Sequence, residues 1–158
     1  MNIAIGCDPN AAPLKREIIE EIQAMGHDVV DFGADDPIYA NVVIDVGEAV
    51  AAGKYDRGVV MCGTGIGASI AANKVPGIHC ALITDCYQAE RAALSNNANV
   101  VALGQQVMGD KVARLLVRTW LENTGNFDTN GRSAPKVERI TAYEESRSNK
   151  SAFNRKLS

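Results

Sequence analysis

The stretch Gly58-Val59-Val60-Met61-Cys62-Gly63-Thr64-Gly65-Ile66-Gly67-Ala68-Ser69-Ile70-Ala71-Ala72 decides the fold. It opens with a short apolar run carrying two β-branched valines, the pattern of a strand. Three glycines at alternate positions, Gly63, Gly65 and Gly67, then turn the chain into an alanine-rich segment that reads as a helix. Strand, glycine turn and covering helix are the building unit of a parallel sheet.

The same alternation recurs on both sides of this stretch. Strands are read over residues 3–6, 28–32, 58–62, 79–83 and 100–103, and amphipathic helices near 12–25, 41–52, 66–74, 86–95, 109–122 and 134–145. This order predicts an α/β fold built on a five-stranded parallel, Rossmann-like sheet. Residues 1–146 are read as one domain. Residues 147–158 are polar and weakly periodic, and are expected to fray unless a partner subunit holds them.

A chain of 158 residues can bury a core without disulfides or metal, and is too short for a multidomain machine. Hydrophobic residues at 46% and charged residues at 22% match an ordinary globular protein. With 16 Lys plus Arg against 19 Asp plus Glu, the formal charge is -3. No global field therefore draws nucleic acid or an anionic membrane, and any phosphate binding must be local. The first eight residues show no basic leader or long apolar core, and no apolar run approaches the roughly 20 residues of a membrane span. A cytoplasmic protein is expected. Cys7, Cys62, Cys80 and Cys86 form no C-x-x-C pair, and with only two histidines no metal centre or other cofactor is expected.

In an open parallel sheet the ligand crevice lies beyond the C-terminal ends of the strands. Those ends carry Asp8, the Cys62-to-Ser69 segment, Thr84-Asp85 and Gly104-Gln105-Gln106. The glycine turn leaves main-chain amides free to approach an anion at a helix start. It is neither a Walker loop nor a dinucleotide fingerprint, since no Gly-Lys-Ser/Thr follows and the glycines run G-x-G-x-G. Tight packing alone would also account for it. Cys62 directly before the turn sits where amide dipoles lower a thiol pKa, although most free cysteines are simply small buried side chains. A thiolate there could be a nucleophile or a base. The base is favoured because His27 and His79 lie at the wrong sheet edge to serve a nucleophile. Arg132 and Lys136, four apart, could share a helix face and clamp a phosphate, or form a solvated basic face.

Taken together, the segments at residues 3–8 (IAIGCD), 31–33 (DFG), 62–67 (CGTGIG), 71–78 (AANKVPGI), 96–100 (NNANV) and 131–133 (GRS) resemble the ribose 5-phosphate isomerase B family, which also includes galactose 6-phosphate isomerase. The match spans about residues 1–140. Within it, residues 39–41, 89–98 and 130–134 are most similar to the branch of D-erythrulose 4-phosphate isomerases of erythritol catabolism. The resemblance implies a three-layer αβα sandwich that forms a homodimer with active sites shared between subunits; whether dimers pair into tetramers is left open. It also implies metal-free aldose-ketose isomerisation through an enediol. Carried over by residue, Cys62 would move the proton between C1 and C2, with Thr64 and the amides of Gly63, Gly65 and Gly67 holding the enediolate. Asp8, Tyr39 and Asn96 would contact substrate, and Arg132 and Lys136 its phosphate.

The chain also departs from the family pattern. Pro9 and Ser95 stand where pentose members carry histidines, Gln106 where an arginine usually follows strand five, and Ala68 where some members place a glutamate base. The second lost histidine is associated with furanose ring opening. A four-carbon 4-phosphate sugar cannot close a stable ring, so Ser95 fits an acyclic substrate. The expected reaction is D-erythrulose 4-phosphate to D-erythrose 4-phosphate. A ribose 5-phosphate isomerase permissive toward other sugars, free ones included, and a non-catalytic partner subunit or phosphosugar-binding module remain alternatives.

Overall fold

A computed structural model describes residues 1–156 of the chain, with side chains as far as Arg147. Five strands, β1 (Asn2–Cys7), β2 (Asp28–Asp31), β3 (Arg57–Cys62), β4 (Cys80–Leu82) and β5 (Val100–Gly104), alternate with helices α1 (Ala12–Ala24), α2 (Tyr39–Ala51), α3 (Ile66–Ala72), α4 (Cys86–Leu94), α5 (Asp110–Asn123) and α6 (Ala134–Lys156). The sheet order is β2-β1-β3-β5-β4 and every pairing is parallel. The expected α/β architecture is therefore present, with helices on both faces of one sheet.

Two cores follow from the two-residue period of the strands. Ile3, Ile5, Val59, Met61, Val101 and Leu103 point to the face covered by α1, α4 and α5. Ala4, Val60, Cys62, Val100 and Ala102 point to the other, under α2 and α3. Cys7 and Cys62 consequently end adjacent strands on opposite faces of the sheet. The α2–α3 layer is built from valines and alanines, and the small Ala68, Ala71 and Ala72 let α3 lie close on β3 and β5. On the other layer Trp120 of α5 is fully buried, and its indole Nε1 donates to the Ala98 carbonyl at 3.3 Å. That bond fixes the end of α5 to the segment entering β5.

Chain order reverses between β1 and β3, because β1 leads out to β2 on one side while β3 leads to β4 and β5 on the other. Ligands of open α/β sheets bind at such a switch point, outside the carboxyl ends of the strands. The residues there are Asp8 and the turn after Cys62.

Element positions agree with the sequence reading to within a few residues, with one exception. Helix α6 runs to Lys156, through the segment read as a fraying tail; residues 157 and 158 lie outside the described residues. Nothing after Pro135 interrupts it, since the remaining chain holds no further proline or glycine to stop a helix. Among the described residues, helix α6 packs lightly on the rest of the molecule. Ala134 and Val137 are buried at its start, and the Glu144 carboxylate accepts the Gly77 amide at 2.8 Å.

The Trp120 anchor gives a stability test. Trp120→Ala removes a fully buried ring and should destabilise the fold by about 3–5 kcal/mol, read as a lowered denaturant midpoint.

Candidate active site

The turn after β3 is shaped by what touches it. Gly65 caps α3 with φ 79°, a left-handed conformation that side chains disfavour, and a Cβ there would meet the Leu103 carbonyl carbon at 2.8 Å and Leu82 Cδ1 at 2.7 Å. Only glycine lets the turn fold back this tightly on β5. In that position the Gly65 amide donates to Cys62 Sγ at 3.2 Å. The thiol is 4% exposed and faces the amide at the beginning of a helix. Thr64 is exposed, and its hydroxyl accepts the Ile66 amide at 3.4 Å.

Neighbouring strands hold this cradle from both sides. Strand register pairs Cys62 with Gly104 and Met61 with Cys7, so the turn after Cys62 stands between Asp8 and Gln105 at one rim. The Gln105 amide donates to the Cys62 carbonyl at 3.0 Å and the Gln106 amide to the Gly63 carbonyl at 2.8 Å. Gln105 Oε1 in turn accepts the Leu14 amide at 2.8 Å, tying α1 to the same loop. A Cβ on Gly104 would strike the Thr64 main chain. These two glutamines and Gly104 are missed as cradle supports when residue types alone are read; a Gly-Gln-Gln run at a strand end is their only signal.

Asp8 is 4% exposed at the end of β1. Its carboxylate accepts the Ala11 amide and the Asn10 side-chain amide, both at 3.2 Å, so it is held by the turn it caps. Tyr39, in the first turn of α2, lies directly against Gly67, where a Cβ would collide with the phenol. The approach to α2 is fixed by Asp36, which accepts the Ile38 amide at 2.7 Å and the Asn41 side chain at 2.8 Å. The Asn41 contact, then the Ile38 amide, hold the Asp36 carboxyl below its ordinary pKa. Asp8, Tyr39, Cys62, Thr64 and the three glycines thus all belong to the crevice end of the sheet.

Asn96, Arg132 and Lys136 do not belong there. Asn96 lies before β5 begins, and five strand residues at about 3.3 Å each separate that end from Gly104, roughly 15 Å. It lines a cavity of ≈ 490 Å³ with Asn73, Ile78, His79 and Ile140 at the opposite rim. Helix α6 crosses that rim, where Thr141 and Glu144 meet Gly77, His79 and Asn99 around a polar cavity of ≈ 320 Å³. Arg132 and Lys136 are exposed near its start, and neither side chain makes an ion pair or hydrogen bond among the described residues. Within one chain these three residues therefore lie apart from the Cys62 turn.

The other thiols differ from Cys62. Burial pushes Cys7 up to about 11 and Cys80 up to about 12, which keeps both protonated at neutral pH. Cys86 is exposed at the start of α4.

Comparison with known proteins bears on this arrangement. Residues 3–140 match the Ribose/Galactose Isomerase family. The chain is 45% identical over 148 residues to a D-erythrulose-4-phosphate isomerase of Pectobacterium atrosepticum, covering 91% of this chain and 95% of that protein. It is 40% identical to ribose-5-phosphate isomerase B of Escherichia coli, over 92% of this chain and 97% of that protein. The solved structure of Clostridium thermocellum ribose-5-phosphate isomerase B superposes with a TM-score of 0.85 at 42% identity, covering 92% of this chain and 99% of that one.

The raised thiols predict an alkaline limit to stability. From about pH 9 the unfolded chain releases the protons of Cys7 and Cys80, while the folded chain keeps them to about 11 and about 12. The unfolded state then binds fewer protons, so stability is intact below pH 9 and falls as pH rises through this window. Thermal melts should show that decline, with a shallower slope in a Cys7→Ala/Cys80→Ala variant.

Proposed function

The chain belongs to the ribose/galactose isomerase family and is a sugar-phosphate isomerase interconverting aldose and ketose, and from that premise we propose that its substrate pair is D-erythrulose 4-phosphate and D-erythrose 4-phosphate. The observation that carries the reading is the Gly65 amide on Cys62 Sγ at the crevice end of β3. A carbon next to a carbonyl loses a proton only if a base is aimed at it and the resulting oxyanion is held. Cys62 is the base. It takes the proton from one of C1 and C2 and returns it to the other, through an enediolate that Thr64 and the amides of the Gly63, Gly65 and Gly67 turn hold. Asp8 and Tyr39 bind the sugar from the flanking strand and helix.

The phosphate is held by Arg132 and Lys136, with Asn96 completing the sugar contacts. Their place at the far rim fits a homodimer in which each subunit lends its cation half to the thiol half of its partner. A light-packed α6 with exposed Ile140 and Tyr143 supports this reading. Lys136 brings charge without the two-pronged geometry of a guanidinium. Residues 1–146 act as the catalytic domain, and the remainder of α6 extends its arm. A reducing cytoplasmic setting suits an enzyme that depends on a free thiol; no helix among the described residues is long and apolar enough to cross a membrane.

The four-carbon substrate follows from the side chains at positions 9 and 95. Neither Pro9 nor Ser95 can supply imidazole acid-base help for opening a furanose, and a tetrose 4-phosphate has no ring to open. The likeness to ribose 5-phosphate isomerases favours a pentose as the second reading. A kcat/KM panel of tetrose, pentose and hexose phosphates with their free sugars separates the two. Erythrulose 4-phosphate should exceed ribose 5-phosphate by at least about tenfold, roughly 1.4 kcal/mol of transition-state binding; the reverse order overturns the tetrose assignment.

A further inference from the structure

A buried ammonium near the crevice has no part in the roles above. Lys15, at the start of α1, is 5% exposed and donates from Nζ to Asp31 Oδ1 at the end of β2, at 2.6 Å. Stability alone does not call for it, since well-packed apolar side chains commonly hold a fold as well as a buried ion pair does. The pair supplies direction instead. The same Asp31 oxygen accepts the Gly33 amide at 2.8 Å, and the Gly33 carbonyl accepts the Cys7 amide at 3.2 Å. Gly33 makes both bonds at a φ of 108°, a conformation that side chains disfavour. The β1–β2 ladder, with the Phe32 amide on the Ile5 carbonyl at 2.8 Å, thus continues past β2 as far as the residue joined to Asp8. Burial pushes the Cys7 thiol up, and the charges of Lys15, Asp8 and Asp31 all act on that one sulfur, so the pair and Asp8 stand around it.

The residue before Lys15 holds the other side. The Leu14 amide donates to Gln105 Oε1 at 2.8 Å, so consecutive residues of α1 are bonded to the segments after β2 and after β5. In the sheet order those two strands flank β1 and β3, between which the crevice opens. From this bracket we propose that Lys15 is a positioning residue for the isomerisation, holding Asp31 and Gly33 so that the strand end carrying Asp8 meets the sugar at a fixed place. The inference rests on the reading of Asp8 as a sugar contact and adds what aims it. Lys15 acts through Asp31, Gly33 and Cys7, and a small displacement of a group that positions substrate is enough to slow turnover.

Kinetics of full-length wild type, Lys15→Met, Asp8→Asn and the double variant, at a temperature where each keeps the wild-type far-UV spectrum, separate positioning from plain stability. Lys15→Met keeps the buried stem and drops the charge. It should lower kcat/KM about tenfold, divided between kcat and KM in the proportion that Asp8→Asn shows, and Lys15→Arg should recover part of the loss. In the Asp8→Asn background Lys15→Met should cost less than about twofold more, while the two shifts in melting temperature add. Where Lys15→Met does not fold, Asp31→Asn enters the same comparison with the same expectation. Wild-type kcat/KM in a folded Lys15→Met enzyme, or a full further tenfold loss on top of Asp8→Asn, overturns this assignment alone. Wild-type kcat/KM in Asp8→Asn instead overturns the reading of Asp8 as a sugar contact, and this assignment with it.

Discussion

One contact organises the crevice end of this molecule: the Gly65 amide pointing at the sulfur of Cys62. It forms because the turn after β3 doubles back on β5 more tightly than any side chain at residue 65 would allow. Two further contacts, from the amides of Gln105 and Gln106 to the carbonyls of Cys62 and Gly63, keep the turn in that place. A thiol so held meets a main-chain amide rather than solvent. Burial pushes the thiols of Cys7 and Cys80 up to about 11 and about 12.

The topology explains why the cradle lies where it does. Parallel strands place all their carboxyl ends at one rim, and the reversal between β1 and β3 opens a crevice between Asp8 and the Cys62 turn. Alanines on α3 and glycines in the turn keep that rim thin. The separation of Arg132, Lys136 and Asn96 from the thiol is a feature of the same topology. Asn96 lies in the segment that enters β5, and Arg132 and Lys136 lie after the last strand, between α5 and the first turn of α6.

Much of this was legible in the residues themselves. Strands β1, β2, β3 and β5 announce themselves by short β-branched runs, and helices α1 to α5 by their periodicity, because burial on both sheet faces leaves few other patterns. The close approach of the turn after Cys62 was also legible in its alternate glycines, although tight packing alone would leave the same pattern. Two things were not. Helix α6 carries little apolar periodicity, and among the described residues it buries Ala134 and Val137 in its first turn, so its continuation to Lys156 rests on the absence of breakers. Gln105, Gln106 and Gly104 support the turn through main-chain contacts, which depend on register and not on side-chain type. Tertiary contacts of that kind leave almost no trace in one sequence.

The central claim is that the Cys62 sulfur carries the migrating proton, and solvent isotope exchange tests it most directly. In deuterated water, wild-type enzyme should wash deuterium from solvent into the carbon next to the substrate carbonyl, followed by NMR. Cys62→Ser should keep its far-UV spectrum and melting temperature near wild type while wash-in and isomerisation fall together by about 10²- to 10⁴-fold. Wash-in at the wild-type rate in a folded Cys62→Ser enzyme would contradict the account and place the base elsewhere.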